Sequence, residues 1–205
     1  MPGIKTYDDY TLYTWNITES RDTLINLCKS LNIDCSHTFT IRNDRRACEM
    51  LAELLLINQI TGDNSITLCH TDNGVPYIKN LNAHISITHS GNIVCIAVSQ
   101  SCPIGIDIEN NIEKIIKVRH KFLSDEEREY IPKSNILKNH MAWTAKEAVY
   151  KVAMINELSL KEHITLNEEI SLASVSFNGK CELYRITHEY NEDNSFFITV
   201  AKPKQ

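Results

Sequence analysis

Two short segments constrain this chain more than anything else in it: Gly105-Ile106-Asp107-Ile108-Glu109 and Trp143-Thr144-Ala145-Lys146-Glu147-Ala148-Val149-Tyr150-Lys151. The first reads as a strand, and because successive strand residues face opposite ways, Asp107 and Glu109 share one face. The second reads as a helix, and positions four apart share a helical face, so Trp143, Glu147 and Lys151 form one stripe. Taken singly, each is ordinary: paired acids on a strand are most often solvated, and a Glu and Lys four apart are most often a surface ion pair. Their apolar neighbours change the reading. Charged groups are rarely buried without partners, so carboxylates set among Ile106, Ile108, Ala148 and Val149 indicate a site. Three carboxylates beside a lysine suit a magnesium ion with a phosphate ligand, since that cation takes few protein carboxylates and completes its shell with water and substrate oxygens.

Composition narrows the class without choosing the chemistry. A chain of 205 residues with 42% hydrophobic content can bury one large core or two small ones. Neither a long apolar run nor a basic and apolar leader is present, which predicts no membrane association and a cytoplasmic location. Seven cysteines without C-x-x-C spacing read as reduced thiols and not as a disulfide frame or zinc site. The formal charge of −5 argues against a nucleic-acid binder, so an anionic ligand would need a local basic pocket.

Periodicity predicts two helix-plus-sheet halves, residues 1–102 and 103–205, parted near residues 100–103. The first half carries expected strands at 11–17, 66–69, 84–88 and 93–99 and helices at 19–31 and 44–59. The second carries strands at 104–109, 173–177, 181–186 and 196–201 and helices at 112–122, 125–130 and 135–155. Ser124 and Glu127 form a capping box for the middle helix of that half.

The metal strand and the charged helix together resemble the two hallmark motifs of the Sfp-type 4'-phosphopantetheinyl transferases, (V/I)-G-(V/I)-D-(V/I)-E and (F/W)-(S/C/T)-x-K-E-(S/A)-x-x-K. Upstream, Ile87-Thr88-His89-Ser90-Gly91 is similar to the family's (I/V)-S-x-(S/T)-H-(S/T) segment, and Asn73-Gly74-Val75-Pro76-Tyr77 to its G-K-P segment. The likeness runs from about residue 40 to about residue 155. It implies an α+β fold of two pseudo-symmetric halves, each a small antiparallel sheet with packed helices, and an active site between them. It implies an enzyme that transfers 4'-phosphopantetheine from coenzyme A to a serine of an acyl or peptidyl carrier protein, releasing 3',5'-ADP.

On this resemblance Asp107, Glu109 and Glu147 hold Mg2+, Glu147 is also the base for the serine hydroxyl, and Lys151 contacts the phosphates. Gly74, Thr88 and His89 fall to the coenzyme A side in the first half, and Arg45 and Arg46 are candidates for its 3'-phosphate. The alternative readings are a satisfied strand-end histidine and a solvated first turn of helix. The family's lysine in the G-K-P segment is Val75 here, which leaves the nucleotide route open, with Lys79 close in sequence. Ile112, Ile115, Ile116, Val118, Phe122 and Leu123, rimmed by Lys114, Lys117, Arg119 and Lys121, are expected to be partly core and partly a docking surface for the carrier, with the enzyme acting as a monomer. Two other classes share the same residues: a non-catalytic module binding coenzyme A or a carrier, and a magnesium-dependent phosphohydrolase.

Overall fold

The computed structural model describes residues 2–64, 68–191 and 196–204, and the chain divides into two compact units, Met1–Gln100 and Ser101–Gln205. Both are α+β with antiparallel sheets.

In the first unit, β1 (Gly3–Thr6), β2 (Thr11–Asn16), β6 (Ile93–Ser99) and β5 (His84–Ser90) form a sheet in that order. A separate hairpin joins β3 (Leu68–His70) to β4 (Pro76–Ile78). Two helices cover the main sheet. α1 (Arg21–Ser30) begins where the Ser20 side chain accepts from the Thr23 N–H, and α2 (Asp44–Thr61) where Asn43 accepts from Arg46. α2 stops at Gly62, whose φ of +66° is the left-handed cap a glycine adopts at little cost. Leu51, Leu55 and Leu56 of α2 meet Leu24 and Cys28 of α1 over Trp15, Val94 and Ile96 of the sheet.

In the second unit, the order is β7 (Gly105–Glu109), β11 (Phe196–Pro203), β10 (Lys180–Asn191), β9 (Leu172–Phe177) and β8 (Ile164–Leu166). α3 (Ile112–Phe122), the short α4 (Glu127–Tyr130) and α5 (Ile136–Ala153) complete it. Ala142, Ala145, Ala148, Val149 and Val152 of α5 pack into a core with Ile115, Phe122, Ala173 and Tyr184. The small residues let α5 approach β7 backbone to backbone. A Cβ on Gly105 would collide with the Ala148 carbonyl oxygen and lie 2.9 Å from the Val152 nitrogen, so only glycine fits there.

Several boundaries differ from the sequence expectation for local reasons. Glu19 is not helical: its carboxylate accepts from the Trp15 indole at 3.3 Å and the Thr18 amide at 2.9 Å, which leaves Ser20 as the cap. α5 ends at Ala153 because Met154 turns left-handed at φ +54°. The strands β1, β4 and β8 were not expected, being three or four residues long with too few positions for an alternating pattern. The strand expected at 66–69 lies partly outside the described residues, and β3 takes up its end. None of the seven cysteines is in a disulfide. Among the described residues no helix is long and apolar enough to cross a membrane.

Candidate active site

Asp107 and Glu109 project from the same face of β7, and both are nearly buried at 7% and 8% exposure. Lys151 of α5 donates to Asp107 Oδ1 at 2.8 Å and to the Ile106 carbonyl at 2.9 Å. Lys114 of α3 donates to Glu109 Oε2 at 2.9 Å, while Glu109 Oε1 accepts the Asn110 and Asn111 amides, each at 2.9 Å. The β7 strand end is therefore held by backbone donors before any ligand arrives. His140 of α5 reaches the Glu109 carbonyl oxygen through Nε2, and burial lowers its basicity. An indole and an ammonium close the flank: Lys114 stands over the Trp143 ring, which meets Phe122 edge to face.

Glu147, half-buried one turn before Lys151, is the electrostatic focus. Burial first, and the Asp107 charge second, push its pKa up to about 7; Lys151 and Lys114 pull the other way, and Glu109 adds to the rise. Asp107, Glu109, Glu147 and Lys151 are thus one interacting set on β7 and α5. Each carboxylate of β7 has a lysine on it, and among the described residues no three His, Cys, Asp or Glu side chains are gathered as a ready metal cage. What the set can do chemically follows from its charges. A carboxylate with a pKa near neutrality takes up or releases a proton at small cost, and paired carboxylates attract a cation that outcompetes a surface ammonium.

A model of the 4'-phosphopantetheinyl transferase superfamily matches residues 103–200. That span takes in nearly the whole of the second unit. No curated protein matches the chain. The match spans β7 and α5, so Asp107, Glu109, Glu147 and Lys151 all lie within the matched segment.

The first unit gathers a second set. Glu49 of α2 accepts from Arg45 at 3.2 Å and from Arg46 at 3.1 Å, and Arg46 lies 3.4 Å from His89 Nε2. His89 also stands 3.5 Å from Glu53. The two arginines and the histidine thus meet on the helix side of β5, with Glu49 and Glu53 as counter-charges. Thr88 does not join them. Its neighbouring strand position puts it on the opposite sheet face, where it is buried at 4%. Gly74 sits at φ +76° in the β3–β4 turn, donating to the Thr71 carbonyl at 2.8 Å, with open space where a Cβ would be.

Of the expected docking rim, Arg119 turns inward to bind Asn139 Oδ1 at 3.0 Å and the Ile131 carbonyl at 2.5 Å. Lys114 is committed to Glu109, which leaves Lys117 and Lys121 as outward cations on α3. Ile115, Phe122 and Leu123 are core, whereas Ile112 is 39% exposed.

Sequence reasoning gave no role to Lys146. It is wholly buried, and its ammonium makes three bonds: Glu127 Oε2 at 2.6 Å, Ile164 O at 2.7 Å and Leu160 O at 2.9 Å. The capping box was the available signal. Glu127 does cap Ser124, at 2.9 Å, but it is also the counter-ion of a lysine far along the chain.

Proposed function

We propose that the protein is an Sfp-type 4'-phosphopantetheinyl transferase that moves 4'-phosphopantetheine from coenzyme A to a serine of an apo acyl or peptidyl carrier protein in a Mg2+-dependent reaction. The observation that carries this reading is the set formed by Asp107 and Glu109 on β7 with Glu147 and Lys151 on α5, Lys151 standing 2.8 Å from Asp107, within the segment that matches the superfamily.

The donor set fits a hard divalent cation. It is all oxygen, and a cation would offset the repulsion from Asp107 that helps raise Glu147. Asp107, Glu109 and Glu147 would hold Mg2+ in place of the two ammonium groups. When bound, the ion would neutralise charge on the pyrophosphate of coenzyme A.

The remaining work falls to the chain's own groups. Glu147 accepts the proton of the serine hydroxyl, as the carboxylate that α5 presents beside Asp107 and Lys151, where the reacting groups would come within hydrogen-bond reach. The serine oxygen bonds to the β-phosphorus, the bond from that phosphorus to the bridging oxygen breaks, and 3',5'-ADP leaves with the electron pair. Lys151, released from Asp107 by the cation, would keep the Ile106 carbonyl and turn its other donors to a phosphate oxygen. Arg45, Arg46 and His89 would bind the nucleotide phosphates, with Glu49 fixing the two guanidinium groups.

Incubation with coenzyme A, Mg2+ and an apo carrier, followed by intact-mass measurement, tests the reading. The expected result is a carrier heavier by one phosphopantetheine, lost when the target serine is changed to alanine. Cleavage of coenzyme A with no gain in carrier mass would identify a phosphohydrolase, and neither change a binding module.

A further inference from the structure

We infer that Lys146 and Glu127 form a positioning pair that sets the rotation of α5 about its own axis, and through it the aim of Glu147 and Lys151. The inference rests on the proposed transferase reading for its kinetic consequence and on geometry alone for its structural one.

The pair is the most completely buried charged contact in the described residues, with side-chain exposures of 0% and 1%. Every polar atom in it is used. Lys146 spends its three protons on Glu127 and on the carbonyls of Leu160 and Ile164. Glu127 Oε2 also accepts the Ser124 amide at 2.9 Å, and its Oε1 accepts the Leu166 amide at 2.9 Å. One lysine thus ties α5 to the start of α4, to the loop before β8 and to β8 itself.

That anchor lies next in sequence to Glu147. Successive helix residues are turned by about 100°. With Lys146 fixed toward α4 and β8, Glu147 and Lys151 have one direction left, toward Asp107 on β7. The contact of Gly105 with Ala148 brings the α5 backbone close to β7, but small residues on both sides can slide past each other. Three directional bonds to a buried ammonium cannot. A buried ion pair is weak as a source of stability compared with apolar side chains of similar volume, and its better attested use is to specify one arrangement over others.

The test separates stability from aim. The double substitution Lys146→Met with Glu127→Met removes both charges and keeps bulk, so the unfolding midpoint should stay near wild type. The crystal structure of this variant should then show Lys151 drawn off Asp107, out of ion-pair range. Transfer kcat should fall on the order of 10- to 100-fold with KM for coenzyme A little changed, as expected for displaced catalytic groups. A variant that keeps the 2.8 Å Lys151–Asp107 contact overturns the inference, whatever its activity. Displacement of that contact in a protein whose wild type transfers nothing leaves the inference standing and defeats the transferase reading. Should the double variant fail to fold, Lys146→Gln is judged by the same contact.

Discussion

Gly105 of β7 and Ala148 of α5 are in such close backbone contact that no side chain fits between them. The obstruction is a carbonyl oxygen and a helix nitrogen, which cannot swing aside as a side-chain tip could. Gly105→Ala should therefore cost about 3 kcal/mol, at the upper end for overpacking, and push α5 away from the strand that bears Asp107. Denaturant unfolding gives the stability, and a variant as stable as wild type would show that the contact relaxes freely.

Removing carboxylates should separate activity from folding. Asp107→Ala and Glu147→Ala are expected to abolish Mg2+-dependent transfer with the far-ultraviolet spectrum unchanged, because each takes negative charge from the interacting set on β7 and α5. Glu109→Ala should be milder, since water can replace one ligand of a hydrated cation. Transfer that continues in excess chelator would contradict the metal role of all three.

The raised pKa of Glu147 has a signed consequence for the metal-free chain. A carboxylate that ionises near 4.5 when unfolded and at about 7 when folded holds its proton longer in the native state. Its contribution is nil below the unfolded pKa and increasingly unfavourable as pH rises to the folded one, reaching about 3 kcal/mol. Glu147→Gln should therefore gain stability over wild type as pH rises from 4.5 to 7, and Mg2+ at pH 8 should raise the wild-type Tm more than the variant's. Parallel pH curves for the two proteins would refute this.

His188 predicts the opposite slope. It sits half-buried between Thr199 Oγ1 at 2.9 Å and the Ile170 carbonyl at 2.9 Å, and desolvation lowers its pKa below the usual histidine range. With Nε2–H donating to that carbonyl, Nδ1 accepts from Thr199, which in turn meets Thr144 of α5 at 2.6 Å. Protonation would break this chain. The stability it contributes is complete above the unfolded histidine pKa and is lost as pH falls through the folded one. Proton NMR of the imidazole should show titration below 6.5, and His188→Gln should flatten the acid limb of the unfolding curve.

On the nucleotide side, His89→Ala should raise KM for coenzyme A by about tenfold, the effect of losing one hydrogen bond to a charged group, with less change in KM for the carrier. Arg45→Ala should narrow the preference for coenzyme A over its 3'-dephospho form. Equal preference in variant and wild type would take Arg45 out of the site. For the carrier, charge reversal at Lys121 should raise its KM, with the effect shrinking at high salt and coenzyme A binding unchanged. Arg119 is unsuitable for this test, since its guanidinium supports the fold through Asn139 and Ile131.

The sequence by itself determined what depends on local period. Alternation put Asp107 and Glu109 on one face, and the four-residue spacing put Glu147 beside Lys151. The strands β1, β4 and β8 are too short to leave a period, and their pairing partners, not their composition, define them. Tertiary structure alone decided where charges go. Arg119 and Lys121 are both cations on α3, yet one is turned inward to a carbonyl and an amide and the other faces water. Glu127 looks from its spacing like a local cap, and only the fold brings it the ammonium of Lys146, 19 residues away. A charge finds its partner through space, at a distance along the chain that no short-range pattern encodes, and burial then turns that encounter into an anchor or a shifted pKa.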